Sequence, residues 1–207
     1  MPKILSIALF IYLVCATVVS AYHPDHLTNL LRSKTCIECD LIDSDLNNTQ
    51  LSHAILTGAI LSDSSMRWVN LTESSMVDAV LKNVDLSWGI LTFANMRRIF
   101  IISSVVNQAE FSYADLEAAN LEASDFRRSH FNYANLKASS LKDSDLRWVD
   151  FSNANLNRAN LQNARMQNTI LQGANLDGAY LNGAVLDGAI WIDGSICRKQ
   201  SVGRCRR

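Results

Sequence analysis

Apolar residues recur at every fifth position from Leu41 to Leu186, and the frame never slips. The thirty sites hold twenty Leu, four Met, four Phe, Ile101 and Val106. A second column of the same period runs from Ser44 to Ala189, two positions ahead of the large residues. Twenty-six of its thirty sites are Ala, Ser, Thr or Gly, the exceptions being Val69, Val84, Ile99 and Val149. The other positions of each pentad are mostly polar, as at Asn120 and Glu122. A period of five fits neither a helix at 3.6 residues nor a strand at 2. On a helix it would smear the apolar residues around the whole surface. The pattern therefore predicts a backbone that turns one corner per pentad and stacks on itself as a solenoid. The large column fills the interior, and the small column points inward near the corners, where only a small side chain fits.

Runs such as Ala114-Asp115-Leu116, Ala119-Asn120-Leu121, Ala154-Asn155-Leu156 and Ala174-Asn175-Leu176 resemble the A(D/N)Lxx unit of the pentapeptide-repeat proteins. The resemblance covers about three quarters of the chain. It implies an all-β fold, a right-handed quadrilateral parallel β-helix with four pentapeptides per coil. The aromatic spacing agrees with that coil size. Phe111, Phe131 and Phe151 are twenty residues apart and would stack as one internal ladder, which Phe126 does not join. Outward, Trp68 would lie beside Trp88, and Phe93 beside Tyr113 and Tyr133. Seven and a half coils, seven to eight counting the ends, would make a rod roughly 36 Å long at about 4.8 Å per coil.

The ends differ from the middle. Residues 1–21 read as a secretory signal, with Lys3 before the apolar run Ile4 to Val14 and a small-residue cleavage site at Val19-Ser20-Ala21. The alternative is an uncleaved membrane anchor, since residues 4–21 are nearly long enough to span. With cleavage, no membrane span remains. Residues 22–35 form a helical cap in this reading, because Leu27, Leu30 and Leu31 have helical spacing between Asp25 and Lys34. The repeat then occupies 36–191, and 192–207 form a C-terminal cap or tail. Caps are needed because an open coil presents bare core and unpaired strand edges.

Cysteine usage fits an exported chain. Leaving out Cys15, four remain. Cys36 continues the large column and Cys39 the small one, so both point into the first coil. The residues alone leave open a capping disulfide or two buried thiols, and no second ligand pair follows at zinc spacing. Cys197 and Cys205 flank the non-repeat tail, where a bridge would close a small loop. Lys34-Thr35-Cys36 with Cys39-Asp40-Leu41, and Asp193-Gly194-Ser195-Ile196-Cys197, resemble the terminal segments of other secreted pentapeptide proteins. The expected bridges are Cys36–Cys39 and Cys197–Cys205.

The charge balance excludes more than it suggests. The full sequence carries 19 basic and 20 acidic groups, and residues past 21 carry a net −2. Neither a nucleic-acid footprint nor a strongly acidic surface is present. The resemblance offers DNA mimicry against a topoisomerase as an alternative function. The export signal argues against it, as do Arg97, Arg98, Arg127, Arg128, Arg147, Arg158 and Arg165 in the body. No nucleophile elbow, P-loop or His-Glu zinc motif occurs, so no catalytic residue, cofactor or metal is expected. His53 and His130 read as solvated surface with no carboxylate forced nearby. His23 and His26 near the expected mature N-terminus offer a copper or nickel site only as a remote alternative. Asn47-Asn48-Thr49 and Asn70-Leu71-Thr72 match the glycosylation sequon and matter only on a eukaryotic secretory route. The basic tail from Arg198 to Arg207 reads as a solvated end, with an anionic surface as the competing partner.

The expected function is thus an exported, non-enzymatic structural or protein-interaction module. Its partner is a protein or a second copy, not nucleic acid. The candidate docking surface is a column at twenty-residue spacing, Ile60, Val80 and Phe100, with Ile102 beside it and Val105 around the next corner. The same column is polar at Asn120, Ser140 and Asn160. Two other readings compete: side chains folded over the corner into the core, or an N-terminal helix laid across them.

Overall fold

The computed structural model describes residues 23–207, in which the repeat winds as a four-sided parallel β-helix. Each side begins at a corner. At Leu51 the next two residues form a type II turn, with His53 at φ 60° and the Ala54 N–H donating to the Leu51 carbonyl at 3.0 Å. The second corner residue needs positive φ, which favours Asn, Asp and Gly. Asp43, Asn48, Asp63 and Gly173 follow that preference, but Trp68, Tyr113 and Ala138 occupy the same backbone region. Stacking of the corners holds such residues where the isolated chain would not.

Successive coils are joined every twenty residues, from Thr35↔Ile55 to Ile170↔Ile190. Each rung uses both directions of hydrogen bonding. The Leu61 N–H donates forward to the Val80 carbonyl at 2.8 Å, and the Val80 N–H donates back to Ala59 at 2.9 Å. The only regular strand pair among the described residues is Val80–Lys82 (β1) with Phe100–Ile102 (β2), parallel and in register. At this side the turn after Leu81 is not closed by its own backbone. The Val84 N–H instead reaches Ser104 Oγ at 3.2 Å, and that hydroxyl donates to the Leu81 carbonyl at 3.1 Å. Ser124 Oγ repeats the bond one coil on, to the Ile101 carbonyl at 3.0 Å. At these two sites serine is thereby more than a small residue: the buried hydroxyls of Ser104 and Ser124 are satisfied by the neighbouring coil.

The large column fills the interior, and its members from Leu41 to Leu171 are buried. Phe111, Phe131 and Phe151 stack with ring centroids 4.5 and 5.2 Å apart. Phe126, on the adjacent side, meets Phe111 and Phe131 edge-on at 6.2 and 5.6 Å. Edge-to-face contact suits a ring arriving from a perpendicular wall.

At the N-terminus α1 (Pro24–Ser33) lays Leu30, fully buried, over the first coil. Lys34 ends the helix in the left-handed region and donates its N–H to the Leu30 carbonyl. At the C-terminus the chain reverses. Val185 pairs antiparallel with Val202, and Ile190 with Ile196, so the tail covers two sides of the last coil. Disulfides join Cys36 to Cys39 and Cys197 to Cys205. The expected signal segment lies outside the described residues. No helix among the described residues is long and apolar enough to cross a membrane.

Candidate interaction surfaces

Ile60, Val80 and Phe100 stand one above another, because Ile60 bridges Val80 and Val80 bridges Phe100. They occupy the outward position just before the large column on one side. Ile60 is 39% exposed and Phe100 40%, with Val80 and Ile102 half-buried. These exposures leave Ile60 and Phe100 outside the core. Helix α1 lies at the end of the first coil and buries neither. The column continues to Asp40 below and Asn120 above. Val105, on the following side, is 42% exposed.

Two further aromatic ladders line corners. Trp68 and Trp88 stack at 4.8 Å, and Phe93, Tyr113 and Tyr133 stack at 5.0 and 4.9 Å. Further along the tryptophan corner, Asn107, Gln108, Arg127, Arg128, Arg147 and Trp148 line a cleft of about 300 Å³. Two of its guanidiniums are already committed. Arg127 donates to both oxygens of Asp125 at 2.8 and 2.6 Å, and Arg147 does the same to Asp145. Burial alone would push the Asp125 carboxyl up, but the Arg127 side-chain and backbone bonds hold it below its ordinary value. Basic and acidic groups alternate along this face, which leaves no uniform field of either sign.

Several chemistry-bearing residues lie where the sequence did not place them. His53 and His130 were expected to stand alone, but each meets a carboxylate twenty residues away: Nδ1 of His53 is 3.4 Å from Glu73, and Nδ1 of His130 is 3.4 Å from Glu110. Coil stacking makes neighbours of residues that look unrelated along the chain. His26 has a structural task as well, since its Nδ1 accepts the Asp40 backbone N–H at 3.1 Å, a bond that a preceding coil would otherwise make. The sequon asparagines are tied into the surface. Asn47 donates to Asp45 and accepts the Arg67 N–H, and Asn70 donates to Gln50. Among the described residues no group of three or more His, Cys, Asp or Glu could hold a metal ion.

Comparison with known proteins adds the family. The family profile described as pentapeptide repeats (8 copies) matches residues 36–72 and 64–99, and the pentapeptide repeat region profile matches 114–191. No match is found among curated proteins. Among solved structures the chain is similar to HetL, a pentapeptide repeat protein involved in heterocyst differentiation regulation in the cyanobacterium Nostoc sp. strain PCC 7120. Identity is 28% over 78% of this chain and 86% of HetL, with a TM-score of 0.33. It is also similar to a trypsin-treated form of QnrB1, a plasmid-mediated fluoroquinolone resistance protein, at 19% identity over 73% of this chain and 83% of that one, TM-score 0.46. A pentapeptide repeat protein of the Arabidopsis thaliana thylakoid lumen matches at 19% identity over 58% of this chain and 79% of its own, TM-score 0.29. With the two family profiles together spanning most of the repeat, the chain belongs to the pentapeptide-repeat family and has its right-handed, quadrilateral β-helix.

Proposed function

We propose that the protein is an exported, non-enzymatic interaction module that holds a protein partner against the column Ile60, Val80 and Phe100. The observation that carries this reading is the exposure of Ile60 and Phe100 on bridged rungs of a rigid wall. An apolar column fixed by backbone pairing offers contact area with little conformational entropy to lose on binding. Ile102 and Val105 widen the patch. Salt bridges such as Arg98 to Asp78, 2.6 Å, and Arg97 to Glu117, 2.6 Å, give its surroundings a polar, charge-paired rim. Two disulfides suit an oxidising compartment.

The test replaces Ile60 and Phe100 with Asp and measures both thermal midpoint and capture of partners from the exported fraction of the native cell. The expected result is an unchanged midpoint with lost capture. A collapsed midpoint would mean that the two side chains are core, and unchanged capture would place the partner elsewhere. Export is checked separately by fractionation and N-terminal sequencing, where mature protein beginning near Tyr22 is expected.

A further inference from the structure

The tryptophan corner is interrupted. At twenty-residue intervals it reads Trp68, Trp88, Gln108, Arg128 and Trp148. Trp68 and Trp88 cover each other's faces at 4.8 Å. Trp148 stacks on no other ring among the described residues and is 58% exposed. Between the two, Gln108 and Arg128 leave a gap, which is the cleft of about 300 Å³. The polar groups that line it lack partners. Asn107 and Gln108 are half-buried, yet among the described residues neither side-chain amide makes a hydrogen bond. Asn83 and Asn163, at another corner, donate to Asp63 and Asp143 at 3.1 and 3.0 Å. Arg128 likewise has no side-chain hydrogen bond and no ion pair among the described residues, whereas Arg127 and Arg147 each hold a carboxylate.

We propose that this cleft binds a uronic-acid sugar, its carboxylate on Arg128, its hydroxyls on the two amides and the C–H face of its ring on Trp148. The site lies away from the Ile60–Phe100 column and does not depend on it.

Each part of the ligand follows from the lining. Three guanidiniums and no carboxylate line the cleft, which selects an anion. Asp125 and Asp145 neutralise two of the three by taking Nε and Nη2 of Arg127 and Arg147, so one guanidinium is left over. That group pairs bidentately with one carboxylate. A phosphate monoester, with close to two charges, brings one more than Arg128 balances. An amide both donates and accepts, as a hydroxyl does, whereas the ring of an aromatic acid offers it nothing. The indole presents a flat, electron-rich face to the C–H groups of a sugar ring. The volume lies at the lower end of ligand pockets and suits a single ring. The backbone under the site is fixed, because the Gln108 and Arg128 N–H groups donate to the Arg127 and Arg147 carbonyls at 3.0 and 3.1 Å. Little order is then lost on binding.

The test titrates sodium glucuronate into the whole protein by calorimetry, with glucose, acetate and inorganic phosphate alongside. Saturable binding with a Kd on the order of 1 mM is expected for one ring in an open cleft. Glucose lacks the charge and acetate the ring, so each should bind at least about tenfold more weakly. Arg128→Gln and Trp148→Ala should each weaken glucuronate binding at least about tenfold, with the thermal midpoint checking that both variants fold. Arg98→Gln, on another corner, should leave binding unchanged. A glucuronate-containing oligosaccharide identifies the source. Tighter binding than the monomer assigns a unit of an acidic polysaccharide, binding no tighter assigns the free sugar, and both support the site. Equal binding of glucose or of acetate would overturn the proposal, because charge or ring would then go unread. So would tighter binding of phosphate, unchanged affinity in either site variant, or absence of saturation.

Discussion

The rings of Phe111 and Phe131 lie 4.5 Å apart with planes 3° from parallel, although twenty residues separate them along the chain. Both are fully buried, and Phe151 extends the stack on the far side of Phe131. Removing the middle ring leaves a void that its stacked neighbours cannot close without breaking the rung register. Phe131→Ala should therefore cost about 3–5 kcal/mol. Denaturant unfolding measures it, and a loss below about 1 kcal/mol, the size of an ordinary surface change, would mean that the ladder does not carry the core.

Corners occupied by residues other than Gly, Asn or Asp hold unspent stability. Ala138 sits at φ 56°, a region in which a Cβ crowds the backbone. Ala138→Gly should raise stability by roughly 0.5–1 kcal/mol, the relief of that crowding outweighing the flexibility glycine adds to the unfolded chain. A lowered thermal midpoint would show that the Ala138 methyl is held in the stack by more than the backbone.

The disulfides should be present in protein recovered from its native compartment. Mass spectrometry without reductant should find no alkylatable thiol among Cys36, Cys39, Cys197 and Cys205. The bridge from Cys197 to Cys205 closes a short loop, so Cys205→Ser should cost about 2–3 kcal/mol by the chain-entropy argument. The loss should be local, with faster amide exchange over 186–203, because the tail is hydrogen-bonded to the last coil at Leu186, Gly188 and Ala189.

Acid should loosen the surface pairs one by one. The hydrogen bonds that Arg98 donates to Asp78, at 2.7 and 2.6 Å, hold the Asp78 carboxyl below its ordinary value, against the opposing effect of desolvation. The folded form is thus the weaker proton binder. The contribution is complete above the unfolded value near 3.8 and disappears as pH falls through the lower folded value. Asp78→Asn should flatten the fall of thermal midpoint between about pH 4 and pH 2 while changing the midpoint little at pH 7, because the pair is exposed and screened. An equal loss of midpoint at pH 7 and pH 3 would refute the linkage.

The sequence by itself determined the architecture. A period of five admits only a chain that turns a corner in each pentad, and the column of Leu, Met and Phe says which residue of each pentad is inside. The twenty-residue spacing of Phe111, Phe131 and Phe151 sets four sides to a coil. The pattern did so much because each pentad is local, and packing is decided by the same residue type at the same place every time. Lateral contacts were less legible. His53 against Glu73 and His130 against Glu110 appear only when coils are laid over one another, since a partner twenty residues away has no local signature. Exposure of the Ile60 column needed the structure too. The spacing aligned those residues, but only the placement of α1 and the corner geometry left Ile60 and Phe100 half in solvent. The ends were least predictable. His26 replacing a missing coil at Asp40, and a tail that covers two sides and leaves Leu176 and Leu181 unpaired, depend on non-repeating segments. There no periodicity repeats the instruction, and tertiary hydrogen bonding alone decides where the chain goes.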